Sequence, residues 1–169
     1  MKNKSKIMKH KVLSVKQPWA RLICSGIKDI ENRTWKCPQK YIGQRVLIHA
    51  SSDKKFNYDV LNIKQYNAFL DKQTFKRDDF PFVDKLTRSA IIGSVEIVDC
   101  VINHPSIWAE KSNGVMVGHA FVYKSNEKPI WNWVLAKPML FDNPILNVKG
   151  KLSFWDFDLP GEYEKLLKL

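Results

Sequence analysis

The most informative segment of this chain is Ser25-Gly-Ile-Lys28-Asp-Ile-Glu31-Asn-Arg33-Thr-Trp35. Gly26 predicts the end of a helix, because helix caps often require the left-handed backbone that glycine adopts at little cost. Ile27 can then fold back onto Leu22 of the helix, as the residue after a Schellman cap does. The chain leaves this cap with a lysine at its corner.

The residues before Gly26 predict a strand followed by a short helix. Val12–Val15 has the composition of a strand, and Pro18 suits the first helical position, where its missing N–H costs nothing. Trp19, Leu22 and Ile23 recur at helical spacing and predict the buried side of that helix.

The residues after Gly26 predict a strand from Ile30 to Trp35, with Glu31, Arg33 and Trp35 on one face. A carboxylate and a guanidinium two residues apart can pair with each other, which would be a structural salt bridge. They can also both face a cleft and bind a base edge or a phosphate. The residue pattern leaves both possibilities open.

The rest of the chain predicts short strands with few helices, which is typical of a small closed or nearly closed barrel. One long helix is expected from Ser52, its N-cap, to about Thr74. Its buried side would contain Phe56, Val60, Ile63 and Leu70. A polar loop should cover 76–85, and 106–129 is either two short strands, 114–117 and 120–123, or an inserted loop. The other expected elements are strands at 45–50, 90–102, 130–135 and 153–157, a loop marked by Pro138, Pro144 and Gly150, and a helical turn at 162–169.

The composition indicates a globular domain with a basic surface. The 169 residues include 28 Lys and Arg and 17 Asp and Glu, a formal charge of +11, and the length suits one domain. Residues 1–11 form a basic arm, expected to be flexible, and 12–169 form the domain. Such a charge attracts polyanions, of which nucleic acid is the commonest in cytoplasm, although a merely solubilising surface would have the same composition.

Cysteine and histidine usage excludes several site classes. Cys24, Cys37 and Cys100 are odd in number and widely spaced, which argues against a disulfide framework and against a zinc site. The four histidines are scattered, with no metal-binding spacing. We therefore expect a cytoplasmic protein with no metal, no cofactor and no membrane span, since no apolar run approaches the roughly 18 residues that a span requires.

The pattern Gly26-x-Lys28-x-x-Glu31-x-Arg33 resembles the G-x-K-x-x-E-x-R signature of the ASCH domain, a branch of the PUA-like superfamily. Four further segments resemble the family in order: 13–19, 46–50, 92–99, and 131–135 with 150–155. The resemblance implies a mixed α+β fold, with a small barrel of five or six strands flanked by helices. It also implies that a cleft near the motif binds RNA or a modified nucleobase.

The site residues expected from these patterns surround the motif. Lys16 and Gln17 precede the first helix, His49 and Ser51 lie at a strand end, and Trp35 shares a face with Glu31 and Arg33. Base stacking on aromatic rings beside a basic groove holds single-stranded nucleic acid, so tryptophans are candidates. The predicted nucleic-acid-binding set is Lys16, Gln17, Lys28, Glu31, Arg33, Trp35, His49 and Ser51, followed by Trp131 and Trp133. A lone histidine is more often a core residue, and Trp19 and Trp155 are expected in the core.

The resemblance also raises an enzymatic alternative. Some ASCH-like proteins are small hydrolases acting on acetylated cytidine or on RNA, and in the amidohydrolase branch a lysine pairs with a hydroxyl residue at the position of Glu31. This chain has a glutamate there, which argues against that chemistry but leaves Lys28 and Glu31 as an acid–base pair. The predicted partner is RNA, another single strand or a modified nucleoside; the oligomeric state stays open.

Overall fold

The computed structural model describes residues 8–53, 61–71, 86–124 and 128–167. Within these ranges the chain forms eight strands and three helices. The strands are β1 (Lys9–Val15), β2 (Ile30–Arg33), β3 (Gln44–Ala50), β4 (Ala90–Val101), β5 (Gly114–Val117), β6 (Ala120–Tyr123), β7 (Trp131–Ile145) and β8 (Phe154–Asp158). The helices are α1 (Trp19–Cys24), α2 (Ile63–Asp71) and α3 (Gly161–Leu166), and a single 3-10 turn covers Gln39–Tyr41.

Six strands form one mixed sheet in the order β2-β7-β4-β3-β1-β8, which curls into a half-barrel. β1 and β3 are parallel, with Val12 opposite Leu47, and the other neighbours are antiparallel. The curl brings the two edge strands together at one end, where the Phe154 ring of β8 lies 5.9 Å from the Trp35 ring that follows β2. The predicted mixed α+β fold, a small curled sheet of five or six strands flanked by helices, is confirmed.

The sheet is buried on both faces, because alternate residues of its central strands enter different cores. Leu13 and Ile48 pack with α1 and Trp133 in one cluster. Val12 and Leu47 pack with Trp155, Leu159 and the residues of α3 in another. Helices on the two faces thus cover a sheet that leaves its ends free for a site.

β4 and β7 pair through bulges, so the predicted loop marked by Pro138, Pro144 and Gly150 is wrong as far as Ile145, where β7 ends, and a loop is present only around Gly150. The pairing shifts between Ser94 and Glu96 and again between Ile91 and Gly93. Pro138 and Pro144 fall in the extra residues of these bulges, where a missing N–H breaks no ladder bond. The strand therefore continues through both prolines, and the two prolines do not end it. Gly93 does mark a close approach, as expected: a Cβ there would lie 2.1 Å from the Met139 carbonyl oxygen.

The long helix predicted from Ser52 to Thr74 is much shorter where the structure describes it. α2 begins at Ile63 behind a capping box, in which the Asn62 side chain accepts from the Gln65 N–H at 3.0 Å and Gln65 Oε1 accepts from the Asn62 N–H at 3.1 Å. Ile63 is 71 % exposed, so its predicted burial is wrong. Phe56, Val60, Thr74 and the predicted loop over 76–85 lie outside the described residues. Leu70 is only half-buried, and Phe69 is the buried residue of α2.

The ambiguous region 106–129 contains a two-stranded ribbon, β5 with β6, and a loop that lies against β2. Three boundaries differ slightly from expectation. β1 begins at Lys9, so three residues of the predicted arm belong to the sheet, and β2 ends at Arg33, two residues before Trp35. α3 begins at Gly161.

Candidate functional site

The cap at the end of α1 positions Lys28. Gly26 has φ +75°, its N–H donates to the Ile23 carbonyl, and the Ile27 N–H donates to the Leu22 carbonyl, which is the predicted Schellman arrangement. Lys28 follows directly and only 5 % of it is exposed. Its ammonium donates to the Ile30 carbonyl and lies 3.5 Å from Glu31 Oε2.

Glu31 is shared between two cations. Its other oxygen, Oε1, is 2.9 Å from Arg33 Nε, a contact that is ionic without being a well-aligned hydrogen bond. The Arg33 guanidinium also donates to the Ser14 carbonyl at 2.7 Å, which ties β2 to β1. With Glu31 7 % exposed and the Arg33 side chain 24 % exposed, the carboxylate forms the floor of the group and the guanidinium its accessible edge.

Burial and pairing act in opposite directions on Lys28. Burial lowers the pKa of the ammonium from its ordinary value of 10.5, while the charge and hydrogen bonding of Glu31 raise it. Lys28, Glu31 and Arg33 together carry two positive charges and one negative charge. These three residues therefore place a net positive charge at the largely desolvated floor of the site.

A cleft of about 760 Å³ opens beside these three residues. Its aromatic wall consists of Trp19 and Trp108, whose rings meet edge to face with centroids 6.4 Å apart. The remaining wall is polar and of mixed charge. The described residues that line the cleft include Ser14, Lys16, Lys28, Glu31, Asn32, Arg33, Ser51, Asn62, Gln65 and Glu110.

The far wall of the cleft is held by a buried amide network. Asn32 Nδ2 donates to the Trp108 carbonyl at 2.9 Å and its Oδ1 accepts from the Glu110 N–H at 3.1 Å. Asn132, fully buried on β7, donates to Asn32 Oδ1 and to the Glu110 carbonyl. Because these hydrogen-bonded amides join the loop over 106–110 to β2 and β7, the loop forms a rigid wall of the cleft.

Several lining residues were missed by the sequence analysis. Asn62 and Gln65 come from the start of α2, where the Asn-x-x-Gln spacing is itself a capping-box signal that could have found them. Gln65 also donates to the Ile107 carbonyl at 2.9 Å and so joins α2 to the fixed loop. No local sequence signal indicates Trp108 or Glu110, because both are positioned by hydrogen bonds to the side chain of Asn32 on β2.

A second hollow of about 700 Å³ adjoins the first. Ser14, Ser51 and Leu152 line both, so the two are continuous along the end of the sheet. His49 forms part of the wall of the second hollow, is buried, and its Nε2 is 2.8 Å from the Val148 carbonyl, to which it donates. Burial lowers the pKa of His49 below 6.5, so the ring is neutral at neutral pH.

The structure brings most of the predicted site residues together. Lys16, Lys28, Glu31, Arg33 and Ser51 line the cleft, and His49 with Ser51 lines the second hollow. Lys16 is paired with Asp53 at 2.8 Å but keeps 67 % of its side chain exposed.

The other predicted residues lie elsewhere. Gln17 is buried and structural, since it accepts from the Arg21 N–H and donates to the Thr87 carbonyl. Trp35 packs against Trp133 at 4.6 Å and does not line the cleft. Trp133 is fully buried, which leaves no ring surface for a base, and Trp131 is half-buried against the same core with Lys36 over its ring.

In the described parts of the chain, no group of three or more His, Cys, Asp or Glu side chains is arranged to hold a metal ion. No helix there has the length and apolar character needed to cross a membrane.

Comparison with known proteins identifies the family. The ASCH domain profile matches residues 13–145. Activating signal cointegrator 1 of Homo sapiens is 31 % identical over 89 residues, which are 53 % of this chain but 14 % of that protein. The Mus musculus protein of the same name is 29 % identical over 89 residues, with the same coverage. The match thus spans about one seventh of the length of these relatives.

The crystal structure of ASCH from Zymomonas mobilis aligns over 94 % of this chain and 94 % of that chain, at 16 % identity and with a TM-score of 0.47. The profile match extends from β1 to the end of β7 and includes every strand of the sheet except β8. This chain belongs to the ASCH domain family.

Proposed function

We propose that this domain binds single-stranded nucleic acid, RNA foremost, and receives one base in the cleft beside Lys28, Glu31 and Arg33. The observation that carries the proposal is the cleft itself: about 760 Å³, with two indoles on one wall and a net positive group at its base. Single strands are held by ring contacts to bases together with a basic groove along the backbone.

The polar wall suits the edge of a base. Asn62 and Gln65 line this wall with amide groups, and Glu110 adds a carboxylate acceptor. Exposed base edges are read by such donors and acceptors, since a base outside a duplex offers its Watson–Crick and Hoogsteen edges. The face of Trp19, which is half-buried, supplies an apolar surface beside them.

The charged group supports this proposal in a specific way. Glu31 contacts both cations, so the structural salt bridge that the sequence left open is present. It does not close the cleft, because Arg33 stays partly exposed and Lys16 largely so. We therefore assign Lys28 and Glu31 to holding the site and Arg33 and Lys16 to contacting the ligand.

The proposal is tested by reversing one charge in the cleft. The probe is a fluorescein-labelled RNA strand of about 12 nucleotides, within the roughly 4–16 that one single-strand-binding domain covers. Arg33→Glu should weaken binding on the order of tenfold, about 1.4 kcal/mol. It should also make the dependence of affinity on salt shallower. Lys28 is unsuitable for this test because reversing a buried charge would also unfold the site.

The matched control is Lys165→Glu, which makes the same charge change on an exposed α3 residue outside both hollows. Anisotropy titrations of wild type and both variants, at several salt concentrations, give the comparison. Equal losses in Arg33→Glu and Lys165→Glu would mean that the protein binds only through its overall charge, and the proposal would be rejected. A DNA strand of the same sequence tests the preference for RNA.

A second candidate function rests on one observation. The buried ammonium of Lys28 has a lowered pKa and lies 3.5 Å from a carboxylate, which is the arrangement of a general acid–base pair. The candidate is hydrolysis of a modified nucleoside, such as acetylcytidine. Acetate release by the wild type, lost in Lys28→Ala and kept in Lys165→Glu, would support it, and no release by the wild type would reject it.

A further inference from the structure

The second hollow, lined by His49, Ser51 and the loop over 147–152, differs from the cleft in chemistry. The cleft contains the carboxylates of Glu31 and Glu110. No described residue that lines the second hollow is acidic, whereas Lys149 and Lys151 both line it. Both halves of the continuous groove contain cations, but among the described lining residues only the cleft contains carboxylates.

The loop that carries these lysines is fixed to the sheet. The Val148 N–H donates to the Ser89 carbonyl at 2.8 Å, and the Val148 carbonyl accepts from His49 Nε2 at 2.8 Å. Ser14 Oγ donates to the Lys151 carbonyl at 3.0 Å. The backbone around Lys149 and Lys151 is thus held on both sides, and the Lys151 ammonium lies over the Trp155 ring, 5.7 Å from its centroid.

Close packing at Gly150 keeps this loop against His49. A Cβ at Gly150 would lie 2.6 Å from the His49 ring and 3.1 Å from Ser14 Oγ, so no larger residue fits without displacing the loop. The Nδ1 atom of His49 is enclosed beneath Gly150 and has no hydrogen-bond partner in the described part of the chain. The histidine supports the loop and does not itself contact the ligand.

One enclosed polar atom does point to a ligand. The hydroxyl of Ser51 lies on the wall that the two hollows share and finds no partner among residues 8–53, 61–71, 86–124 and 128–167. A buried hydroxyl without a partner costs free energy. An anionic oxygen at the junction of the hollows would accept a hydrogen bond from this hydroxyl.

We infer that the second hollow binds the backbone phosphate of the nucleotide adjacent to the one in the cleft. Lysine ammonium groups and a serine hydroxyl are the donors that bind phosphate oxygens, whereas the carboxylates of the cleft would repel one. The ligand is then a strand of at least two nucleotides, and a free nucleoside would leave the second hollow empty. This inference rests on the proposed function, because it places the phosphate relative to a base in the cleft.

The test removes both lysines and measures the salt dependence of binding. The labelled RNA strand is titrated into wild type, the double variant Lys149→Ala/Lys151→Ala, and a control, Lys124→Ala/Lys165→Ala. The control makes the same charge change at exposed residues outside both hollows. Losing the one phosphate in the second hollow should lower the slope of log affinity against log salt by about 0.7, the contribution of one neutralised single-strand phosphate. Affinity at low salt should fall about 2- to 30-fold.

The outcomes separate this inference from the function on which it rests. A double variant that matches Lys124→Ala/Lys165→Ala in slope and affinity overturns the phosphate assignment, and a loss in Arg33→Glu then still supports the cleft. If Arg33→Glu binds as the wild type does, the cleft is wrong and the phosphate assignment falls with it. If the salt-dependence slope is lower in Lys149→Ala/Lys151→Ala than in its control, and Arg33→Glu binds RNA more weakly than the wild type, both the phosphate assignment and the cleft are supported.

Discussion

Replacing Glu31 by glutamine should destabilise the domain far more than a surface substitution of the same type. Glu31 is 7 % exposed and is the carboxylate that contacts Lys28 and Arg33. Removing one member of a buried ion pair leaves an uncompensated charge and costs about 3–5 kcal/mol. For a domain of this size, a loss of about 3 kcal/mol lowers the melting temperature by roughly 6–12 °C.

The stability that Glu31→Gln loses relative to the wild type should become smaller as the pH rises. Burial already holds the pKa of Lys28 below 10.5, and without Glu31 nothing of comparable strength raises it. Between that lowered pKa and 10.5, the unfolded chain binds more protons than the folded one, so stability increases with pH across this window. The difference between Glu31→Gln and wild type should therefore narrow towards alkaline pH, where Lys28 is neutral in the fold.

Urea unfolding at neutral and alkaline pH measures both effects. The matched control is Glu96→Gln, since Glu96 pairs with Lys137, whose side chain is 67 % exposed, and such pairs contribute below about 1 kcal/mol. The double variant Lys28→Met/Glu31→Gln should recover much of the lost stability, because replacing both charges leaves none unpaired at that contact. A Glu31→Gln loss no larger than that of Glu96→Gln, with no pH dependence, would refute the buried pair.

Three further predictions concern the sheet and the two hollows. Gly93→Ala should prevent folding, because the Met139 carbonyl oxygen would be 2.1 Å from the new Cβ, whereas Gly161→Ala, with nothing within 4 Å, should melt near the wild type. Burial lowers the pKa of His49, so below pH 6.5 the unfolded wild-type chain binds a proton that the folded one does not, and the wild type loses stability as the pH falls. His49→Gln should make this loss smaller, which unfolding at several pH values would measure. Trp108→Ala removes a buried ring from the wall of the cleft and should lower the stability by about 3–5 kcal/mol, measured by thermal melts. It should also weaken binding of the labelled RNA, measured by anisotropy. Binding equal to that of the wild type would show that Trp108 is not part of the binding site.

Local sequence signals predicted the parts of the fold that local chemistry determines. The cap at Gly26 and the shared face of Glu31 and Arg33 follow from φ preference and strand alternation, and both are present. The length of β7 was not predictable in this way. Pro138 and Pro144 would end a strand only if the ladder needed a backbone N–H at those positions. Whether it does depends on the bulged pairing with β4.

The site was predictable on one side only. Lys16, Lys28, Glu31, Arg33 and Ser51 lie near the motif in sequence or at strand ends next to it. The opposite wall comes from 106–110 and from the start of α2, which reach the cleft through side-chain bonds over long sequence separations. Trp35 was predicted on the strand face of Glu31 and Arg33, but β2 ends at Arg33, and the Trp35 ring packs into the aromatic core instead.

The indole N–H signals of the six tryptophans offer the most direct measurement of where nucleic acid binds. In an NMR titration with the unlabelled RNA strand, the signals of Trp19 and Trp108 should move, because their rings form a wall of the cleft. The signal of Trp133 should stay in place, because its ring is enclosed in the core. Saturable binding that leaves Trp19 and Trp108 unmoved would show that the RNA occupies another surface and would contradict the account.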